Sequence, residues 1–453
     1  MLSDELIIKI FKESFEVSPS HIIKAPGRVN LIGEHTDYNG FPVMPISIPH
    51  TITIAISSRS DNKIIIKNTF KLYKTMSFDL ANDIPHSKTG DWSNYVKAAV
   101  TSLVSHFDSS LRGMNALFHG DIPTSAGLSS SSALVVGSAL ALLAANHREI
   151  DSLELAELMA YGEHYVGTQG GGMDQAICLF GRENNAVKID FFPLRYSYVS
   201  FPENYSILLA HSLIRAAKTE NALLQYNMRP AECRLATALI NALYKPAPFL
   251  KRLGELPHYH FYREFNTSEE FVTHTYTRNL YSLTEIAHIT GKTVESIIED
   301  YLLTRGGIAM PVPSEGFPIY QRALHVLTEA ERVEKSCNAL EFNDIKTFGT
   351  LMNESHYSCD ENYNIATPEL NNLVSIMRES GAQGARLTGA GFGGYAIALV
   401  RDDDIQRIGE HIKELYYETY FVEKHPDLLE FSDFDTTILF AVKPSQGAVV
   451  KKL

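Results

Sequence analysis

Residues 27–40 read GRVNLIGEHTDYNG. One Arg, two Asn, one Glu, one His, one Asp and one Tyr share these fourteen positions with only three evident core formers, Val29, Leu31 and Ile32. A surface loop accounts for the polarity. It does not account for apolar residues and glycines threaded among hydrogen-bonding groups of such varied chemistry.

Two further segments concentrate small and polar residues. In DIPTSAGLSSSSALVVGSALALL, residues 121–143, a turn with Pro123 and Gly127 leads into Ser129, Ser130, Ser131 and Ser132 and then a small-residue helix. The N–H groups of a first helical turn lack backbone partners and bind anions, and a Ser hydroxyl there can coordinate Mg²⁺. In GTQGGGMDQ, residues 167–175, Gly170, Gly171 and Gly172 admit φ > 0 and let a ligand approach the backbone, with the Asp174 carboxylate beside it. A third segment, RLTGAGFGGYAIALV at 386–400, spells G-x-G-x-x-G with Gly389, Gly391 and Gly394. The dinucleotide fingerprint must follow a strand and open a helix, whereas these glycines precede a strand-like run, so that reading is excluded.

The totals narrow the class. At about 150 residues per domain, 453 residues suggest two or three domains. A formal charge of -13 with no run of Lys or Arg excludes a broad nucleic-acid surface. Cys178, Cys233, Cys337 and Cys359 are scattered, with neither a CxxC pair nor zinc spacing, so buried reduced thiols are expected. The opening MLSDELIIKIFKESF is acidic and amphipathic, unlike a signal peptide, and no apolar run approaches the roughly 20 residues that cross a bilayer. A cytoplasmic protein without a membrane partner is expected.

Short β-rich runs at 52–57, 63–67, 114–118, 186–192 and 205–210 alternate with helical periodicity. Asp91 is the expected N-cap of a helix over 91–107, and Asp151 with Glu154 forms a capping-box pattern for the next. Beyond about residue 200 longer helices dominate, broken near Pro246 and between Pro311 and Pro318. Thr367, Pro368 and Gly381 bracket another helix, and strand-like runs follow at 395–400 and 436–442. Two α+β domains are expected, residues 1–200 and 201–453.

With its motifs in this order from Gly27 to Gly394, the chain resembles the GHMP kinases. Within them GRVNLIGEHTDYN resembles the signature of the galactokinase and N-acetylgalactosamine kinase family almost residue for residue. The resemblance implies an N-terminal domain like ribosomal protein S5 and a ferredoxin-like C-terminal domain with a helical insertion, here around 248–313. It implies ATP-dependent phosphorylation of the anomeric hydroxyl of galactose, with Mg²⁺ as cofactor. Asp174 would take that hydroxyl's proton or mainly orient it, two alternatives left open, and Arg28 would stabilise charge beside it. Glu34, His35, Asp37, Gly172 and Tyr226 would contact the sugar, while His35 and Asn30 serve equally well as loop braces. Gly127, Leu128, Ser129, Ser130, Ser131 and Ser132 would wrap the ATP phosphates, with Mg²⁺ on Ser131 and Glu163. Trp92, next to Asn94 and Tyr95, would border the nucleotide.

Two rivals stand beside this reading. The glycine triplet and the insertion resemble N-acetylgalactosamine kinases, whereas Thr36, Asn39 and Tyr226 follow the galactokinase pattern; galactose is the expected sugar. A non-catalytic sensor of galactose and ATP is the other, against which stand the unbroken GLSSSSA and Asp174. A monomer is expected.

Overall fold

Six of the fourteen residues of the opening stretch, 27–32, are strand, not loop. In this computed structural model, which describes residues 2–88, 90–107, 111–123, 127–167, 170–214, 220–303, 309–428 and 437–453, and only the backbone of 220–223 and 428, β1 (His21–Ile32) runs through Arg28 and Asn30. Side chains alternate across a strand, so Val29 and Leu31 take one face while Arg28 and Asn30 take the other. Eleven of its twelve residues are buried, because both faces are covered. That is why β1 shows no apolar–polar alternation and was not among the expected strands. Pro26 and Gly27 sit at a register shift between Pro26 and Arg28, where a missing N–H is tolerated.

β1 pairs antiparallel with β2 (Met44–Ser58), which continues through β5 (Met114–Gly120) to β3 (Lys63–Asn68) and β4 (Met76–Asp79). On its other side β1 pairs with the last strand of the chain, β12 (Val449–Lys452), completing six strands in the order β12-β1-β2-β5-β3-β4. A short hairpin follows, β6 (Asn185–Asp190) and β7 (Arg195–Ser200). The other large sheet is antiparallel, built from β8 (Tyr205–His211), β9 (Gly384–Leu387), β10 (Tyr395–Arg401) and β11 (Leu439–Val442) in the order β11-β8-β10-β9. The second sheet therefore starts at Tyr205, and the chain end returns to the first.

Helices cover these sheets. α1 (Asp4–Phe15), α2 (Ser93–His106), α3 (Ser130–Ala145), α4 (Ser152–Gly162) and α5 (Met173–Phe180) belong to the first half. α6 (Glu220–Tyr244) precedes four short helices, α7 (His260–Arg263), α8 (Ser268–Thr275), α9 (Leu283–Thr290) and α10 (Val294–Tyr301), which form the insertion. α11 (Ile319–Glu341), α12 (Ile345–Glu361) and α13 (Pro368–Glu379) follow, and α14 (Ile405–Ile412) runs on through a π-helical stretch, Lys413–Tyr420, into α15 (Phe421–Lys424). Asp151 caps α4 and Thr367 caps α13 as expected. Asp91 does not cap α2: its carboxylate accepts from Ser93 N at 2.9 Å, a turn two residues long, and the helix starts one residue later than a cap at Asp91 requires.

α3 positions the site. Val135, Val136 and Leu142 are fully buried, each burial worth roughly 1.5–3 kcal/mol, which fixes the helix against the first sheet. Gly137 permits the close approach, since a Cβ there would lie 3.0 Å from Ile54 Cδ1 and 3.1 Å from Ala25 Cβ. All four cysteines are buried and free. Among the described residues no helix is long and apolar enough to cross a membrane. Thr124–Ala126 of the serine segment, Thr168 and Gln169 of the glycine segment, and Thr436 of the last expected strand lie outside the described residues.

Candidate active site

Three motifs meet at Arg28. Its Nε donates to Asp174 Oδ1 at 2.7 Å, and its Nη1 donates to the carbonyl of Gly127. One buried guanidinium thus ties the carboxylate on the first turn of α5 to the loop that leads into α3. The backbone repeats the link, with Arg28 N donating to Leu128 O at 3.2 Å. The third glycine segment closes in from the second sheet: a Cβ on Gly389 would lie 2.7 Å from the Gly127 carbonyl oxygen.

The glycine triplet is pressed on the opening stretch. Gly171 N donates to Asp37 Oδ2 at 3.1 Å, and a Cβ on Gly171 would stand 2.2 Å from Tyr38 N, so no side chain fits. Gly172, at φ +109, turns the chain into α5 and so sets the direction of Asp174. Burial pushes the Asp37 carboxyl above its usual range, as does Asp174 nearby, while N–H groups of Tyr38, Met173 and Gly171 oppose the shift. Tyr226 of α6 enters from the second half. Its phenol faces Asp37, Asp174, Glu163 and Arg28, and burial followed by those carboxylates raises its pKa well above normal. A cleft of about 460 Å³ opens on the far side of the triplet, along Tyr38, Phe192 and Pro230; it adjoins Gly172 without enclosing Arg28 or Asp174.

The serine cluster faces an acid. Ser132 Oγ donates to Glu163 Oε2 at 2.7 Å, Ser131 also donates to this carboxyl, and Gln175 Nε2 joins the same oxygen. Glu163 is buried at the end of α4, and its pKa is pushed up to about 7, chiefly by desolvation and further by Asp174, against the serine and glutamine donors. Ser129 stands at φ +58 directly before α3, aiming the first helical N–H groups at the space beside this cluster. Trp92 is half-buried, its ring edge-on to Phe118 and Tyr73 at 5.2 and 5.9 Å. Asn94 is fully spent on the loop before it, accepting from Ser87 N and donating to Lys88 O.

His35 is committed inside the protein. Its Nε2 lies 3.2 Å from the Ala390 carbonyl and so donates, which leaves Nδ1 to accept from Tyr38 Oη at 2.8 Å. Tyr38 in turn contacts Tyr363 Oη at 2.8 Å, and Tyr363 contacts Cys233 Sγ at 3.2 Å. Burial lowers the His35 pKa to about 3, so the ring is neutral. Neither nitrogen has capacity left for a sugar hydroxyl, which favours the bracing alternative for His35 over the expected contact. Asn30 braces as well, its Nδ2 donating to Glu34 Oε1 at 3.2 Å.

Sequence reasoning missed the residues that hold Glu34. Arg386, fully buried on β9, lies 3.0 Å from Glu34 Oε2. Glu329 of α11 accepts the N–H groups of Gly33 and Glu34 at 2.9 and 3.3 Å, and His325 donates to the Glu34 carbonyl at 3.0 Å. Arg332 and Arg386 hold the Glu329 carboxyl below its usual range despite burial. Nothing local in the sequence separates Glu329 from any other helical glutamate. Arg386 carried one signal, a lone Arg opening a glycine-rich segment otherwise free of charge.

Comparison with known proteins gives matches of the same kind throughout. Residues 9–58 match the galactokinase galactose-binding signature, residues 94–182 the GHMP kinase N-terminal domain, and residues 334–418 the GHMP kinase C-terminal domain. The galactokinase of Dictyostelium discoideum is 34% identical, with 95% of this chain and 90% of that protein covered. That of Saccharomyces cerevisiae is 30% identical, covering 99% and 94%. The crystal structure of Lactococcus lactis galactokinase complexed with galactose superposes with a TM-score of 0.77 at 28% identity, over 99% of both chains.

Proposed function

The chain belongs to the galactokinase family of the GHMP kinases, and we infer that it carries the γ-phosphate of ATP to the anomeric hydroxyl of galactose, releasing ADP. It is a sugar kinase, a phosphotransferase with an alcohol acceptor. The observation that carries the assignment of roles is the Arg28 guanidinium, which spans Asp174 and the Gly127 carbonyl. Sugar and triphosphate then meet at one cation.

Phosphoryl transfer asks a protein mainly for positioning and for stabilising charge. Asp174 accepts the proton of the attacking hydroxyl, or holds that hydroxyl in line, and Arg28 faces the equatorial oxygens of the transferring group. Asp37, the backbone at Gly172, Glu34 and Tyr226 hold the remaining sugar hydroxyls, while His35 and Asn30 keep the loop in shape. The N–H groups and hydroxyls of 127–132 cradle the phosphates at the start of α3, with Trp92 beside the base.

The oxygens of Ser131 and Glu163 fit Mg²⁺, a hard cation that takes one or two carboxylates and completes its shell from phosphates and water. When bound, the ion supplies neutralising charge on the β- and γ-phosphates. An ADP-release assay with galactose tests the whole reading. Asp174→Asn is expected to lower kcat by at least about 100-fold with ATP affinity little changed; near-normal turnover removes Asp174 from the reaction.

A further inference from the structure

Five backbone groups between Asn30 and Glu34 are held by residues other than Arg386. Thr388 Oγ1 accepts from Asn30 N at 3.1 Å and donates to Asn30 O at 3.0 Å. Glu329 takes the N–H groups of Gly33 and Glu34, and His325 takes the Glu34 carbonyl. Arg386 adds only a 3.3 Å contact from Nη1 to Asn30 O and a long one to Cys359 Sγ. The backbone does not need it. Yet a wholly buried guanidinium, the largest fully enclosed side chain among the described residues, is costly to desolvate without a task.

Its task lies at the Glu34 carboxylate. We propose that Arg386 is a positioning residue for sugar binding: its ion pair at Oε2 holds the buried Glu34 carboxyl in the orientation that receives a sugar hydroxyl. The inference rests on the reading of Glu34 as a sugar contact. Oε1 is occupied by Asn30, whereas Oε2, buried beside the Arg386 guanidinium at 3.0 Å, has no hydrogen bond of good geometry among the described residues. The groups around this carboxyl are Arg28 and Asn30 of β1, Arg386 of β9, His325 and Glu329 of α11, and Cys359 of α12. Of these, Glu329 alone is a negative charge that disfavours a second one on Glu34. Arg386 is the nearest cation to it, and Arg28 is spent on Asp174 and Gly127. Burial, with Glu329, already raises the Glu34 pKa above its usual range, and Arg386 is the chief charge opposing that shift; its loss moves the carboxyl further toward the neutral acid, which donates where the carboxylate accepts.

The test is a double-mutant cycle on kcat/KM for galactose across pH 6 to 9, read by ADP release. Arg386→Met is expected to raise the galactose KM about tenfold or more, the size of one lost charged hydrogen bond, with the ATP KM within about twofold. Its acidic limb moves to higher pH, so alkaline buffer restores part of the loss. Arg386→Lys keeps the wild-type limb. Glu34→Gln combined with Arg386→Met is no worse than Glu34→Gln alone, and this pair also removes both charges together should the single Met variant fail to fold. An unmoved limb in Arg386→Met, or losses that multiply in the double variant, overturns the assignment. Wild-type inactivity on galactose instead overturns the sugar reading beneath it.

Discussion

Glu163 offers the most quantitative test of the phosphate site. Its carboxyl titrates near 7 in the folded protein against an ordinary value of 4.5. Each pKa unit is worth about 1.4 kcal/mol, so the shift corresponds to about 3 kcal/mol of preference for the neutral acid. Between those two values the folded chain binds more protons than the unfolded chain. This contribution to stability is therefore fully present below pH 4.5 and is lost as pH rises through about 7. On the proposed reading Mg²⁺ takes Glu163 as the carboxylate, so loading Mg²⁺·ATP should expel the proton. With a pKa of about 7 the ionised fraction rises from about a tenth at pH 6 to about nine tenths at pH 8, and Mg²⁺·ATP affinity should gain close to tenfold from this group. Isothermal titration at pH 6.5 in buffers of different ionisation enthalpy reads the released proton directly. Glu163→Gln, which cannot titrate, should bind Mg²⁺·ATP more weakly, lose the proton release that exceeds the nucleotide's own, and flatten the stability–pH curve between 4.5 and 7. Equal proton release in wild type and variant would refute the argument, because it assigns the whole effect to this one carboxyl.

Other outcomes follow from the same geometry. Gly171→Ala must push its Cβ off Tyr38 N, displacing Asp37; the galactose KM should rise about tenfold or more while ATP binding, measured by titration, stays near wild type. Glu329→Ala leaves Arg332 without its carboxylate and two N–H groups without an acceptor, so urea unfolding at pH 7 should show a loss of about 3–5 kcal/mol. Because the Glu329 pKa is depressed, its stabilisation is present above pH 4.5 and fades as pH falls further; the variant should lack that acid-side slope. A panel of galactose and N-acetylgalactosamine in the ADP-release assay should favour galactose in kcat/KM, and the reverse order would move the chain to the rival sugar.

The candidate site was legible because its chemistry is local in sequence. Four consecutive serines at a helix start, three consecutive glycines before Asp174 and the dense run from Arg28 to Asp37 each announce themselves without a partner. Strands with one covered face were also legible from alternation, as at Lys63–Asn68. β1 was not, because a strand buried on both faces has no alternation to read, and β12 was not, because four exposed residues mean nothing until β1 supplies their partner.

What the sequence determined by itself is therefore the set of candidate site groups and their order along the chain, since backbone geometry and side-chain chemistry at close spacing need only a few neighbouring residues. What the tertiary structure alone decided is the state of those groups. His35 is neutral because it is buried and occupied because Ala390, some 355 residues away, accepts from its Nε2, and Glu34 is held by Arg386 and Glu329 from the other half of the chain. Burial and charge depend on what folds against a side chain, and that information is spread over contacts no local pattern contains.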